Sequence, residues 1–240
     1  MSACAHEELY GRNKIRAAKR ISNPGCYATS TQLLIAPLLP HLKPGVWPSV
    51  FGVSGYSGAG TVAGPPAEDG RPTTAPKVTA ESLAGGIRPY ALTDHIHERE
   101  AGRHLSRLLA EGQVKVAFVP NVAPWFSGII SVLSMPLGNR VTAKDVRELY
   151  EQKYSEERLV TIRKDVPALP DIEGKHGWTV GGFQVHSEGD RAVVVVSTAQ
   201  SLYFVLDVEF YCRVDLITSS RVPRHSVSRY DMHLSRLLVC

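Results

Sequence analysis

Two β-rich runs, residues 179–185 and 191–198, lie on either side of Glu188-Gly189-Asp190, and this arrangement predicts an antiparallel hairpin. Earlier runs at 50–53, 115–120 and 128–137 also read as strands, the last rich in Ile, Val and Leu. Segments of helical period fall between them. Residues 26–39 carry Ala28, Leu33, Leu34, Ala36 and Leu38, as suits a buried helix. Residues 94–110 place Leu105, Leu108 and Leu109 on one face, with Asp94 as N-cap. Residues 142–154 open on Thr142 as N-cap and carry Val146, Leu149 and Tyr150. Residues 1–20 read as a polar, partly helical lead-in. Asn23-Pro24-Gly25 is a turn, because proline disfavours helix in the residue before it. Residues 40–48 are a connection, and 61–80, rich in Gly, Pro, Thr and Ala, a long loop. Hairpins mixed with helices predict an α+β domain with a mainly antiparallel sheet and packed helices. With 240 residues, 43% of them hydrophobic, the chain can bury a substantial core.

Composition removes several function classes. The net charge is +4, and no Lys/Arg cluster stands out beyond residues 12–20, so no nucleic-acid partner is expected. A mildly basic balance suits an anionic small molecule. The cysteines, at 4, 26, 212 and 240, are too scattered for a disulfide scaffold or a zinc site and point to a reducing compartment. No apolar run has the length of a membrane span, and residues 1–10 lack the features of a secretory signal or transit peptide. Neither a membrane partner nor a metal is expected. The sequence also has no strand followed by G-x-G-x-x-G, so no dinucleotide-binding βαβ unit is visible.

Four segments carry candidate chemistry. Cys26 follows Pro-Gly at the first turn of a predicted helix, where free backbone N–H groups and the helix dipole stabilise a thiolate. The same residue also fits a buried structural thiol. Residues 94–100, Asp-His-Ile-His-Glu-Arg-Glu, hold two histidines without the further ligands of a zinc site. A general base for thiol chemistry and a solvated helix start both fit them. The run 54–60, Ser-Gly-Tyr-Ser-Gly-Ala-Gly, follows a strand and could offer backbone N–H groups to phosphate, although it lacks the P-loop ending and also fits an ordinary turn. Trp125 and Phe126, between two prolines, read as core in preference to a pocket lining.

Taken in order, residues 21–30, 51–61, 82–100, 118–130 and 174–186 resemble the N-acetyl-γ-glutamyl-phosphate reductases of arginine biosynthesis. The likeness is to the reductase part of the fungal mitochondrial bifunctional proteins that also carry an acetylglutamate kinase. Asn-Pro-Gly-Cys-Tyr, Gly-Tyr-Ser-Gly-Ala-Gly and His-x-His-x-x-Glu carry the match. The resemblance implies a glyceraldehyde-3-phosphate-dehydrogenase-like C-terminal (catalytic and dimerisation) domain over 21–198, a homo-oligomer formed through its sheet, and a mitochondrial location. It implies that an acyl phosphate acylates Cys26 and that NADPH reduces the thioester to a semialdehyde. His97 matches the catalytic histidine, with Glu100 orienting it. Asn23, His95, Arg88 and Arg99 match or neighbour the substrate-binding positions. Ser54, Gly55, Ser57 and Gly58 match the loop that approaches the nicotinamide of NADP. Ile96 and Arg99 replace an Arg and a Pro common in bacterial members.

Two departures qualify that expectation. Residues 1–20 stand where the family has a nucleotide-binding domain, and are read as its remnant. Residues 199–240 depart from the family pattern and read as an aberrant, poorly ordered tail, such as a retained intron would produce. The isolated chain is therefore expected to have negligible NADPH-dependent activity. A non-catalytic dimerisation module and an aspartate-semialdehyde dehydrogenase-like enzyme are the competing readings.

Overall fold

A computed structural model of the chain describes residues 2–4, 13, 20–22, 24–172 and 175–198. It divides into two units, Met1–Gly25 with Leu202–Cys240, and Cys26–Ser201. In the first, β1 (Ser2–Cys4) and β2 (Arg20–Ser22) pair in parallel, a pairing the reading of 1–20 as a partly helical lead-in does not contain. Residues 5–12 and 14–19 of that lead-in, Asn23, expected to bind substrate, and the tail at 199–240 lie outside the described residues.

The second unit opens with helix α1 (Cys26–Ile35) and runs through β3 (Ser49–Gly55), β4 (Thr61–Ala63), β5 (Thr74–Pro76) and β6 (Arg88–Pro89). Helix α2 (Ile96–Ser106), β7 (Ala117–Ala123), β8 (Ile129–Pro136), helix α3 (Ala143–Tyr154), β9 (Val160–Ile162), β10 (Trp178–Val185) and β11 (Arg191–Thr198) complete it. The main sheet has the order β6-β7-β3-β8-β11-β10-β9. Only β3 with β7 and β9 with β10 pair in parallel, so the sheet is mainly antiparallel as expected. The predicted hairpin is β10–β11. The loop at 61–80 contains an exposed ribbon, β4–β5, that its composition does not announce.

Strand alternation assigns the two faces of the sheet. On one, Gly52 and Ser131 meet α1: a Cβ on Gly52 would strike the Tyr27 ring, and Ser131 Oγ lies 3.2 Å from Ser30 Oγ. The other face carries the register row Val119–Phe51–Val132–Val195, in which Phe51 is 47% exposed.

The buried helix predicted over 26–39 breaks at Ile35 and continues as a 3-10 turn, Ala36–His41. Pro37 is the reason. It has no N–H, so it removes the α-helical donor to the Leu33 carbonyl and the 3-10 donor to the Leu34 carbonyl. Both carbonyls are buried, and α3 supplies the replacements. Tyr154 Oη donates to Leu33 O at 2.7 Å, and Tyr150 Oη donates to Leu34 O. α3 itself is capped as predicted, by a reciprocal Thr142–Asp145 capping box.

The second helix is shorter than the predicted 94–110. Asp94 adopts a left-handed backbone (φ 59°) and is not its N-cap. His95 caps the helix, its Nδ1 accepting the His97 N–H at 3.2 Å. Among the described residues, no helix is long and apolar enough to cross a membrane.

Candidate active site

Cys26 is the first residue of α1 and is half-buried. Burial pushes its thiol up to about 11, against the pull of the Tyr27 and Cys26 backbone N–H groups and with a smaller push from the Glu100 carboxylate. The helix start thus favours the thiolate as the sequence suggests, but desolvation outweighs it. A nucleophilic role for this group would therefore require a base.

The base candidate stands on α2. His97 Nδ1 lies 2.7 Å from Glu100 Oε2, a carboxylate only 1% exposed, one helical turn further on. A neutral His97 that donates Nδ1–H to Glu100 keeps its lone pair on Nε2, free to accept a proton. The Tyr27 ring, next in sequence to Cys26, lies 6.4 Å from the His97 ring, so the pair stands near the helix start that carries the thiol. The reading of 94–100 as a merely solvated helix start does not survive a buried Glu100.

Aromatic rings bind the site together. The Tyr27 ring packs edge-on against Phe118 at 4.9 Å and lies 6.4 Å from His97. His95 sits 4.8 Å from His97, 5.4 Å from Phe118 and 6.0 Å from Tyr90. Burial, and then His97, hold the His95 imidazole below its usual range, with Glu100 opposing. That agrees with its capping role, since Nδ1 must be unprotonated to accept. Glu98 fastens the helix to the sheet, its Oε1 accepting the Phe118 N–H at 2.9 Å.

Under the thiol, Tyr27 Oη donates to the Asn121 carbonyl at 3.0 Å, and the Asn121 amide donates to Gly52 O at 3.0 Å. Ser54 is buried with its Oγ 3.5 Å from the same Asn121 carbonyl. Tyr27, Tyr90, Phe118 and Asn121 were not singled out by sequence reasoning. Tyr27 was visible as the residue completing Asn-Pro-Gly-Cys-Tyr, and Asn121 as the polar residue in a strand-like run.

The 54–60 loop corrects a second expectation. The N–H groups of Gly55, Tyr56 and Ser57 already donate to the carbonyls of Gly128, Trp125 and Phe126 at 2.9–3.0 Å, so none of the three can cradle a phosphate. The approach is close enough that a Cβ on Gly55 would lie 2.6 Å from the Phe126 carbonyl oxygen. Ser57 is half-buried and Gly58 exposed. The amides of residues 55–57 are therefore unavailable to the phosphates of a dinucleotide. The Trp125–Phe126 pair is not core either: Phe126 is 66% exposed and meets Tyr56 edge-on at 5.6 Å. Arg88 and Arg99 are both exposed and form no ion pair among the described residues.

The family model for the semialdehyde dehydrogenase dimerisation domain matches residues 26–199. The chain belongs to this family. Within it, the chain is 46% identical over 195 residues to "Protein arg-6, mitochondrial" of Neurospora crassa, covering 81% of this chain and 20% of that protein. It is 45% identical over 190 residues to "Protein arg11, mitochondrial" of Schizosaccharomyces pombe, covering 79% and 19%. Against the N-acetyl-gamma-glutamyl-phosphate reductase of Xanthomonas axonopodis pv. citri it is 41% identical over 191 residues, covering 80% and 54%. The chain therefore spans about a fifth of these fungal proteins and about half of the bacterial reductase. Among solved structures, aspartate semialdehyde dehydrogenase II of Vibrio cholerae superposes with a TM-score of 0.64 at 14% identity, covering 89% of this chain and 69% of that one. The enzyme of Francisella tularensis gives 0.64 at 15%, covering 91% and 71%. At such identities the likeness establishes the semialdehyde-dehydrogenase fold. The similarity to the reductases expected from the motifs is found.

Proposed function

We propose that the chain is the catalytic and dimerisation part of an N-acetyl-γ-glutamyl-phosphate reductase of arginine biosynthesis, with Cys26 as nucleophile and His97 as its base. The observation that carries this reading is the His97–Glu100 pair, 2.7 Å apart, with the His97 ring 6.4 Å from that of Tyr27, the neighbour of the half-buried Cys26 at its helix start. His97 Nε2 takes the thiol proton, and Glu100 holds the ring and stabilises the imidazolium. The sulfur attacks the acyl carbon; the C–S bond forms, the bond to the phosphate oxygen breaks, and phosphate leaves. The Cys26 and Tyr27 N–H groups at the helix start oppose the cost of burying the developing anion. Asn23, His95, Arg88 and Arg99 are proposed for substrate binding, the two exposed arginines as cations for its anionic groups. Ser54, Gly55, Ser57 and Gly58 are proposed for the nicotinamide side.

Reduction of the thioester requires a hydride donor, for which family resemblance supports NADPH. Because the sequence shows no strand followed by G-x-G-x-x-G and the amides of residues 55–57 are already used, we propose that these 240 residues alone acylate without turning over. Identity of 41% to a named reductase, against 14% to an aspartate semialdehyde dehydrogenase, supports the former substrate. The fungal relatives support a mitochondrial location, and the half-exposed apolar row through Phe51 supports a homo-oligomer formed by the sheet.

Incubation of the purified chain with N-acetylglutamyl phosphate should release one phosphate per chain and add the acyl group to the Cys26 peptide, without NADPH oxidation. Absence of acylation would favour a non-catalytic module. Steady NADPH oxidation at ordinary enzyme rates, roughly 1 s⁻¹ or more, would refute the proposed dependence on a further domain.

A further inference from the structure

Helix α2 lies along an edge of the main sheet that no strand completes. β7 is paired with β3 from Ala117 to Ala123, but on its other side β6 reaches only Asn121 and Val122. Among the described residues no strand covers the earlier part of that edge, and Pro120 offers it no N–H. The Tyr90 N–H donates to the Pro120 carbonyl at 3.1 Å. Beyond that point one face of α2 takes over. Glu98 Oε1 accepts the N–H of Phe118, a residue only 1% exposed, at 2.9 Å. Gly102 lies so close that a Cβ there would come within 2.7 Å of the Val114 carbonyl oxygen. Ser106 Oγ accepts the Val114 N–H at 2.9 Å.

Residues 98, 102 and 106 follow one another at intervals of four, so they form one stripe on the helix. Eight helical residues rise about 12 Å, which matches the roughly 13 Å that four extended residues span. α2 therefore runs antiparallel to residues 114–118 and is tied to them at both ends. The two ties differ in what they hold. Ser106 fixes the last turn of the helix. Glu98 fixes the first, the turn that carries His97 and Glu100. Its partner Phe118 also carries the thiol side of the site: the Phe118 ring meets those of Tyr27 at 4.9 Å, His95 at 5.4 Å and His97 at 6.4 Å.

We propose that Glu98 is a positioning residue of the thiol site: by accepting the open N–H of Phe118 it sets the His97–Glu100 pair against the Tyr27–Phe118 packing beside Cys26. The inference rests on Cys26 being the reacting thiol and His97 its base. Glu98 acts through His97 and not on the sulfur. An acid in the first turn of a helix also favours the helix dipole by its charge alone. The Phe118 contact is different in kind, because it depends on where the oxygen stands and any acceptor at that place can make it.

The test is Cys26 alkylation by iodoacetamide near neutral pH, read on the Cys26 peptide by mass spectrometry, together with the imidazole NMR signals of His97. Glu98→Gln keeps an acceptor and discards the charge, whereas Glu98→Asp keeps the charge and draws the oxygen back by one methylene. Glu98→Gln should match the parent within about twofold. Glu98→Asp should slow alkylation by about three- to tenfold, short of the roughly hundredfold that a misplacement of about 1 Å can cost. In a His97→Ala background Glu98→Asp should add less than about twofold, because the two act as one unit. The His97 signals should shift in Glu98→Asp and return in Glu98→Gln. Ser106→Ala removes the other tie, and should lower the urea midpoint without slowing Cys26. Parental rate and parental His97 signals in Glu98→Asp overturn the inference. So does a Glu98→Gln as slow as Glu98→Asp, or an equal slowing by Glu98→Asp once His97 is gone. If His97→Ala alone leaves the rate unchanged, the base assignment falls instead, and the His97 signals decide whether Glu98 positions the ring.

Discussion

His97 and Glu100 are one helical turn apart, and their 2.7 Å contact joins a partly accessible ring nitrogen to a carboxylate hidden beneath it. In the proposed mechanism this carboxylate directs His97 as a base, because the ring nitrogen it does not engage is the one left to accept the thiol proton. His97→Ala should slow Cys26 alkylation near neutral pH by about tenfold to a hundredfold, in keeping with the lower range of general-base effects. Equal rates in parent and variant would show that the thiol ionises without this residue.

Gly52 leaves room for the Tyr27 ring under the thiol. Gly52→Ala must displace that ring from Phe118 and from the Asn121 carbonyl. Overpacking of this kind costs about 1–3 kcal/mol. Urea denaturation should show a loss of that order. Unchanged stability would mean that the ring has another place to go.

His95 gives the domain a pH dependence of predictable sign. Its folded-state proton affinity is held down by burial and by His97, so the unfolded chain takes up this proton at higher pH than the folded one. The cap is fully supported above about pH 6.5. Stability should then fall as pH drops below that value, and level off once the folded ring is itself protonated. His95→Asn retains a capping acceptor that does not titrate, and should flatten this part of the profile. Urea midpoints between pH 8 and 5 measure the difference; parallel profiles would contradict it.

The apolar face through Phe51 can be tested without chemistry. Phe51→Lys places a charge in the middle of the row Val119–Phe51–Val132–Val195. A sheet-mediated oligomer should dissociate to monomer by sedimentation or light scattering, with the helical side of the domain intact. An unaffected oligomer would move the interface elsewhere.

Strand existence and the hairpin were legible because alternation and the Glu-Gly-Asp turn are local signals, and Thr142 announced its capping box for the same reason. Boundaries set by distant partners were not. Nothing near Pro37 says that two tyrosines more than a hundred residues later will take its orphaned carbonyls. Asp94 looks like the better cap, and only its left-handed backbone hands that role to His95. In the site, Cys26, His97 and Glu100 stood out by residue type and motif. Tyr90 and Asn121 did not, because their part in it depends on register between strands. The 54–60 loop misled for a related reason: its amides look free in sequence and are consumed by the 125–128 turn.

The repair of the Pro37 break has one more consequence. The helix that begins at Cys26 is closed at its far end by hydroxyls from residues 150 and 154, so its last turn is completed only by contacts of long sequence separation. Such contacts form late, because a large loop must close first. During synthesis the thiol-bearing helix would leave the ribosome well before its own stopper. Until α3 arrives, the last turn of that helix lacks both of its partners, and its far end is set only when residues 150 and 154 dock.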